Sequence, residues 1–180
     1  MSATTSGTTA SPSRDAERLP GRSLVAGLLL GIGTATFVDE TVFHQLLRWH
    51  HFYDRSTTEV GLISDGILHA VGWAAAIGAM FLFADLRRRR ALVRTRWAGG
   101  LLAGAGGFQL YDGTVQHKVM GLHEIRYGVD LLAYDLVWNG VGAVLLGAGV
   151  VLILRTRTRA SPRRASTGAG ERGDGRAPGA

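Results

Sequence analysis

Cysteine is absent from all 180 residues. Without thiols there is no disulfide framework, no cysteine-based zinc finger, no iron–sulfur cluster and no thiol nucleophile. Lysine is nearly absent. Of 20 basic residues only Lys118 is a lysine. The three methionines (Met1, Met80, Met120) are too few and too scattered for a thioether copper string. Charged residues make up only 19% of the chain, against 46% apolar residues and 26 glycines. The formal net charge of +6 suits nucleic acid only if the charge sits on a folded face. Its distribution points elsewhere.

Residues 1–21 and 159–180 are Ser, Thr, Gly, Pro and charge with no apolar period. Neither segment can bury enough apolar surface to offset the entropy of ordering, so both read as disordered tails. Residues 22–158 hold four apolar stretches: Leu24–Leu47, Leu62–Phe83, Trp97–Met120 and Leu131–Leu154. At about 1.5 Å per helical residue each reaches roughly 30 Å, the thickness of a hydrocarbon core. The expected fold is all-α, a bundle of four transmembrane helices. The first stretch lacks a small-residue cleavage site and is expected to be retained rather than removed as a signal peptide. The preference for arginine over lysine suggests GC-rich coding, hence a bacterial chain.

Arginine placement sets the expected orientation. Sixteen of the 20 basic residues lie before Leu24, in the 87–96 link, or after Leu154. Only Arg48, Arg55, Lys118 and Arg126 fall on the other side. By the positive-inside rule both termini face the cytoplasm of a bacterial inner membrane. The lipid bilayer is then the expected partner, with a second copy or another membrane protein as further candidates and no nucleic acid.

The chain also matches itself. Residues 27–51 (GLLLGIGTATFVDETVFHQLLRWHH) align without gaps to 100–124 (GLLAGAGGFQLYDGTVQHKVMGLHE). The alignment pairs Gly27, Gly31, Gly33, Asp39, His44 and His50 with Gly100, Gly104, Gly106, Asp112, His117 and His123. DGILHAVG (65–72) likewise matches DLVWNGVG (135–142). Two tandem helix hairpins, 22–90 and 96–158, with parallel topology are expected. Gly27-x₃-Gly31 and Gly100-x₃-Gly104 read as close-packing faces.

Ionisable residues inside apolar spans are functional candidates by default, because each costs several kcal/mol unless paired or hydrated. Asp39, Asp65, His69, Asp112 and Asp135 are of this kind. Taking helix ends near 46, 62, 119 and 132, His44, Asp65, His117 and Asp135 fall about 3–5 Å below the outer surface. Asp39, His69, Asp112 and Asn139 fall about 10 Å below it. Two stacked polar layers are expected, with His50, His51, His123 and Glu124 as capture residues at a mouth above them. His44, His117, Asp65 and Asp135 are the leading metal ligands, and Asp39, His69 and Asp112 support them or form a second site.

Imidazole with carboxylate suits a transition metal such as Cu, Zn or Fe. Haem held by two histidines is a weaker alternative, because carboxylates fit an ion better than an apolar macrocycle. A third reading is a ligand-free Asp–His network that glues helices or exchanges protons. An enzyme remains open, since a metal with an exchangeable position can activate water. One geometric conflict stands out. Asp39–His44 and Asp112–His117 are five residues apart, about 140° on an α-helix, so both members cannot face one ion on a regular helix: either one partner faces a neighbouring helix or the helix is locally widened.

The pattern G-x-G-x₅-D-x₄-H-x₅-HH, then D-G-x₂-H, then G-x-G-x₅-D-G-x₃-H-x₅-H resembles a bacterial family of predicted membrane proteins catalogued as domain of unknown function 2243. It is carried by Gly31, Gly33, Asp39, His44, His50, His51, Asp65, Gly66, His69, Gly104, Gly106, Asp112, Gly113, His117 and His123, over about residues 22–155. Glu40 departs from it, standing where glycine is expected, as at Gly113. The resemblance implies a small multi-span inner-membrane protein. It supplies no biochemical activity of its own; the occurrence of such proteins beside cytochrome oxidase assembly factors favours copper or haem handling, so metal handling or respiratory-complex maturation is the expected function.

Overall fold

Long runs rich in Leu, Ala and Val with almost no proline allow uninterrupted helices despite their glycines, because nothing removes a backbone donor along them. Pro20, the one proline among the described residues, sits near the start of the first helix. The computed structural model describes residues 14–158, and every element among them is helical. Helix α1 spans Arg14–Val38, α2 Thr58–Arg88, α3 Arg94–Leu110 and α4 Leu131–Thr158. Two of them continue without a break into wider π-helical segments: α1 into Asp39–Leu46 and α3 into Tyr111–Met120. Thr57 caps α2, its side chain accepting from Val60 N–H at 3.4 Å. The tails expected to be disordered fall largely outside the described residues, except that residues 14–21 already belong to α1.

Three helical stretches are long and apolar enough to cross a membrane: Leu19–Leu46, Thr58–Arg88 and Leu131–Thr156. The stretch through α3 does not reach the same hydropathy. Its face is glycine, which adds little, and its π segment carries Asp112, Gln116, His117 and Lys118. A helix shielded by neighbours on two sides needs less apolar surface of its own. α3 is so placed: α1 packs on α2 and α3, and α3 on α1 and α4, so the order across the molecule is α2–α1–α3–α4.

Small residues set the central α1/α3 contact. A Cβ on Gly27 would stand 2.0 Å from the Trp97 carbonyl oxygen, and one on Gly31 2.1 Å from that of Leu101. Reciprocally, a Cβ on Gly100 would meet the Leu24 oxygen at 2.4 Å, and one on Gly104 that of Leu28 at 2.3 Å. The backbones therefore touch, which is how helices associate where lipid removes the hydrophobic incentive. The two outer flanks use the same device. Gly33 lies against Gly72 and Ala76 of α2, and Gly106 against Gly142 and Leu146 of α4.

Both π segments end at one end of the molecule, in loops 47–57 and 121–130. Each ends through a left-handed residue, Arg48 (φ 52°) in one and Gly121 (φ 54°) in the other. Beyond it Trp49 N–H donates to the Phe43 carbonyl at 2.9 Å, and Leu122 N–H to that of Gln116 at 3.0 Å. The loops are tied together where Asp54 N–H donates to the Leu122 carbonyl at 3.1 Å. At the opposite end Arg22 pairs with Asp85 at 3.3 Å, and Val93 N–H donates to the buried Ser23 hydroxyl at 3.1 Å.

Candidate metal centre

The π segments resolve the five-residue conflict. An i→i+5 backbone ring brings residues five apart onto one face. Asp39 and His44 therefore point the same way, with Asp39 Oδ2 3.7 Å from His44 Nε2. In the second segment Asp112 Oδ2 stands 3.1 Å from His117 Nε2. All four side chains are buried.

The loops add two further imidazoles. His50 Nδ1 donates to the Ile125 carbonyl at 2.9 Å, and His123 Nδ1 donates to the Phe52 carbonyl at 2.8 Å. A carbonyl can only accept, so each bond places a proton on Nδ1 and turns Nε2 toward the cluster. Both Nε2 atoms are buried without a hydrogen-bond partner, as is His44 Nε2. Burial, reinforced by His44 and His123, pushes His50 down to about 3, so its ring is neutral at physiological pH.

These rings form one cluster. Ring centroids lie 4.5 Å apart for His44 and His50, 4.6 Å for His50 and His123, and 4.6 Å for His117 and His123. His50, His117 and His123 each offer a ligand atom, all within 4.8 Å of one another. Asp39, His44 and His50 form a second such group, and Glu40, His44 and Asp65 a third. The protein thus carries buried His/Asp groups that could hold a metal ion.

A carboxylate layer backs the imidazoles. His44 Nδ1 lies 3.1 Å from Asp65 Oδ1 and 3.1 Å from Glu40 Oε1. Asp65 also accepts from His51 Nδ1 at 2.7 Å and from Phe52 N–H at 2.7 Å. Asp112 reaches His123 Nε2 at 3.6 Å. Carboxylates so placed orient imidazoles and raise their basicity as ligands.

Of the residues singled out from sequence, His44, His117, Asp39, Asp65 and Asp112 come together. His50 and His123, expected at a mouth, are instead 5% and 3% exposed and lie inside the cluster. His51 is half-buried on Asp65, and Glu124 is exposed. Asp135 is not brought in, because Lys118 holds it at 2.5 Å. His69 is not brought in either. It rests on the Phe37 ring, centroids 5.7 Å apart. Asn139 turns its amide to the Asp135 carbonyl at 2.9 Å. The expected two layers with one residue from each helix are therefore replaced by a cluster built from the two π segments, the two loops and Asp65. Glu40 is the additional buried group of the cluster, and its i, i+4 spacing to His44 is the signal of it in the sequence.

No curated protein and no solved structure matches the chain. Residues 26–156 match the family model described as predicted membrane protein (DUF2243), and the chain belongs to that family.

Proposed function

We propose that the protein is a four-span membrane protein of two tandem hairpins, with both termini cytoplasmic, that holds a transition-metal ion at the outer end of its central helix pair. Its function in this reading is metal handling. The ion sits among the Nε2 atoms of His50, His117 and His123, with His44, Asp39 and Asp112 alongside. The observation that carries the reading is the reciprocal pair His50–Ile125 and His123–Phe52, which anchors two buried imidazoles through Nδ1 and leaves their Nε2 atoms without a hydrogen-bond partner. Neutral imidazole nitrogen with carboxylate support suits Zn²⁺, Cu²⁺ or Fe better than Mg²⁺ or Ca²⁺, which prefer oxygen.

The tandem arrangement is supported by contacts that recur at matched positions. Gly27 on Trp97 mirrors Gly100 on Leu24, and Gly33 on Gly72 mirrors Gly106 on Gly142. The fourth span, through α3, is supported by its packing between α1 and α4. Haem fits less well. Imidazole rings 4.5–4.6 Å apart, flanked by Asp39 and Asp112, leave no flat apolar slot for a macrocycle.

Metal and haem analysis of detergent-purified protein tests this, wild type beside His50→Ala/His123→Ala. Stoichiometric metal in the wild type, with loss from the double variant, is the expected result. Equal, substoichiometric metal in both overturns the reading in favour of a ligand-free Asp–His network.

A further inference from the structure

The two halves agree at their central histidines and differ on one flank. Where the first half has Glu40 the second has Gly113, and where the first has His51 the second has Glu124. Asp65 faces the cluster, whereas its counterpart Asp135 is held by Lys118. The first half alone therefore carries a carboxylate pocket beside the imidazoles. Asp39, Glu40 and Asp65 are 2%, 1% and 1% exposed, and their ion-pair partners are imidazoles, His44 and His51.

Glu40 is the group left over. His44 has one Nδ1–H to give, and Asp65 takes it in hydrogen-bonding geometry at 3.1 Å. Asp65 has two more donors in His51 Nδ1 and Phe52 N–H. Glu40 has none, since neither of its carboxylate oxygens makes a hydrogen bond. A buried carboxylate without a donor is costly, and a coordinated cation removes that cost.

We infer that Glu40, Asp65 and His44 Nδ1 hold a second divalent transition-metal ion, with the His44 ring bridging it to the imidazole centre. The three ligand atoms lie within 4.8 Å of one another, and oxygen and nitrogen ligands about 2 Å from one ion stand roughly 3.3 Å apart. Two carboxylates balance the charge of the ion. The bridge forms when the Nδ1 proton of His44 leaves. His51, hydrogen-bonded to Asp65 with its side chain 24% exposed, links the pocket to the outer surface and provides the exit. Gly61 makes the space for that ring, since a Cβ there would lie 2.9 Å from it. The centre is thus asymmetric, with one ion shared by both halves and one belonging to the first half alone. This rests on the imidazole centre proposed above.

The test is Zn²⁺ stoichiometry on the full chain in detergent, stripped with chelator and reloaded by equilibrium dialysis, together with anomalous scattering from Zn²⁺-loaded wild-type crystals. Two Zn²⁺ per wild-type chain, two anomalous peaks on either side of His44, and one Zn²⁺ in Glu40→Gln are expected. One ion in the wild type overturns the second site and leaves the imidazole centre standing. Two ions retained in Glu40→Gln overturn the assignment of Glu40. No bound ion in the wild type overturns both. If Glu40→Gln does not fold, the wild-type stoichiometry and peak positions decide alone.

Discussion

His50 and His123 lie stacked, ring centroids 4.6 Å apart and planes 5° from parallel, and each hydrogen-bonds through Nδ1 to a carbonyl two residues beyond the other. Each loop therefore orients the other's imidazole. Neither ring can be placed by its own half of the chain. The pair couples the closing of the two loops to the shaping of the cluster.

Asp112 lies 3.1 Å from His117 and 3.6 Å from His123, and its ion-pair partners are these imidazoles rather than an arginine or lysine. Asp112→Asn keeps the shape and removes the charge that orients two imidazoles. Metal affinity is expected to fall about 10–100-fold, the usual cost of losing such a carboxylate. A competition titration with a chromogenic chelator measures it. Unchanged affinity would mean that Asp112 does not support the centre.

Acid should destabilise the metal-free protein through His50. Burial holds its folded pKa at about 3, below the unfolded value near 6.5. Its contribution is complete above about pH 6.5 and shrinks as pH falls toward 3, because the unfolded chain takes up the proton first. At pH 5 the loss is about 2 kcal/mol. Thermal unfolding of chelator-treated protein from pH 7 to pH 5 should fall more steeply for the wild type than for His50→Gln. Parallel curves would refute it.

Close helix contact makes a glycine at the α1/α3 face and an open helical glycine behave oppositely. Gly31→Ala places a Cβ 2.1 Å from the Leu101 carbonyl oxygen, so the central pair must part, at about 1–3 kcal/mol or more. Gly140→Ala meets nothing within 4 Å and should gain about 0.5–1 kcal/mol of helix stability. Unfolding in detergent by titrated denaturant compares the two. Equal effects would argue that α1 and α3 do not touch at this face.

The absence of cysteine makes topology easy to probe. Glu124→Cys lies in the loop at the cluster end, and Arg90→Cys in the turn between α2 and α3. With four spans and cytoplasmic termini, an impermeant maleimide added to intact cells or spheroplasts labels the first and reaches the second only after lysis. Labelling of both from the same side would show that α3 does not cross.

Much of the framework can be read from the chain. Four apolar stretches, the small-residue faces at Gly27/Gly31 and Gly100/Gly104, and the impossibility of Asp39 and His44 sharing a face on an α-helix all follow from periodicity. The last point leaves two outcomes, a partner turned to a neighbouring helix or a widened helix, and the structure takes the second in both segments. The loops were not legible in the same way. Spacing set His50 and His123 outside the membrane, and the chain folds them back under their neighbours. Nothing in local pattern reports that the carbonyls of Phe52 and Ile125 would receive them.

What the sequence determined alone is therefore what repeats locally: helix positions, their apolar length, and which ionisable residues lie within them. Only the tertiary structure decided which of those residues meet. Lys118 captures Asp135, Phe37 receives His69, and the exchanged loop bonds carry His50 and His123 inward. The physical reason is that helix propensity and hydropathy act over one or two turns. The rotation of a side chain and the course of a loop are set by partners some seventy residues away, which no local period encodes.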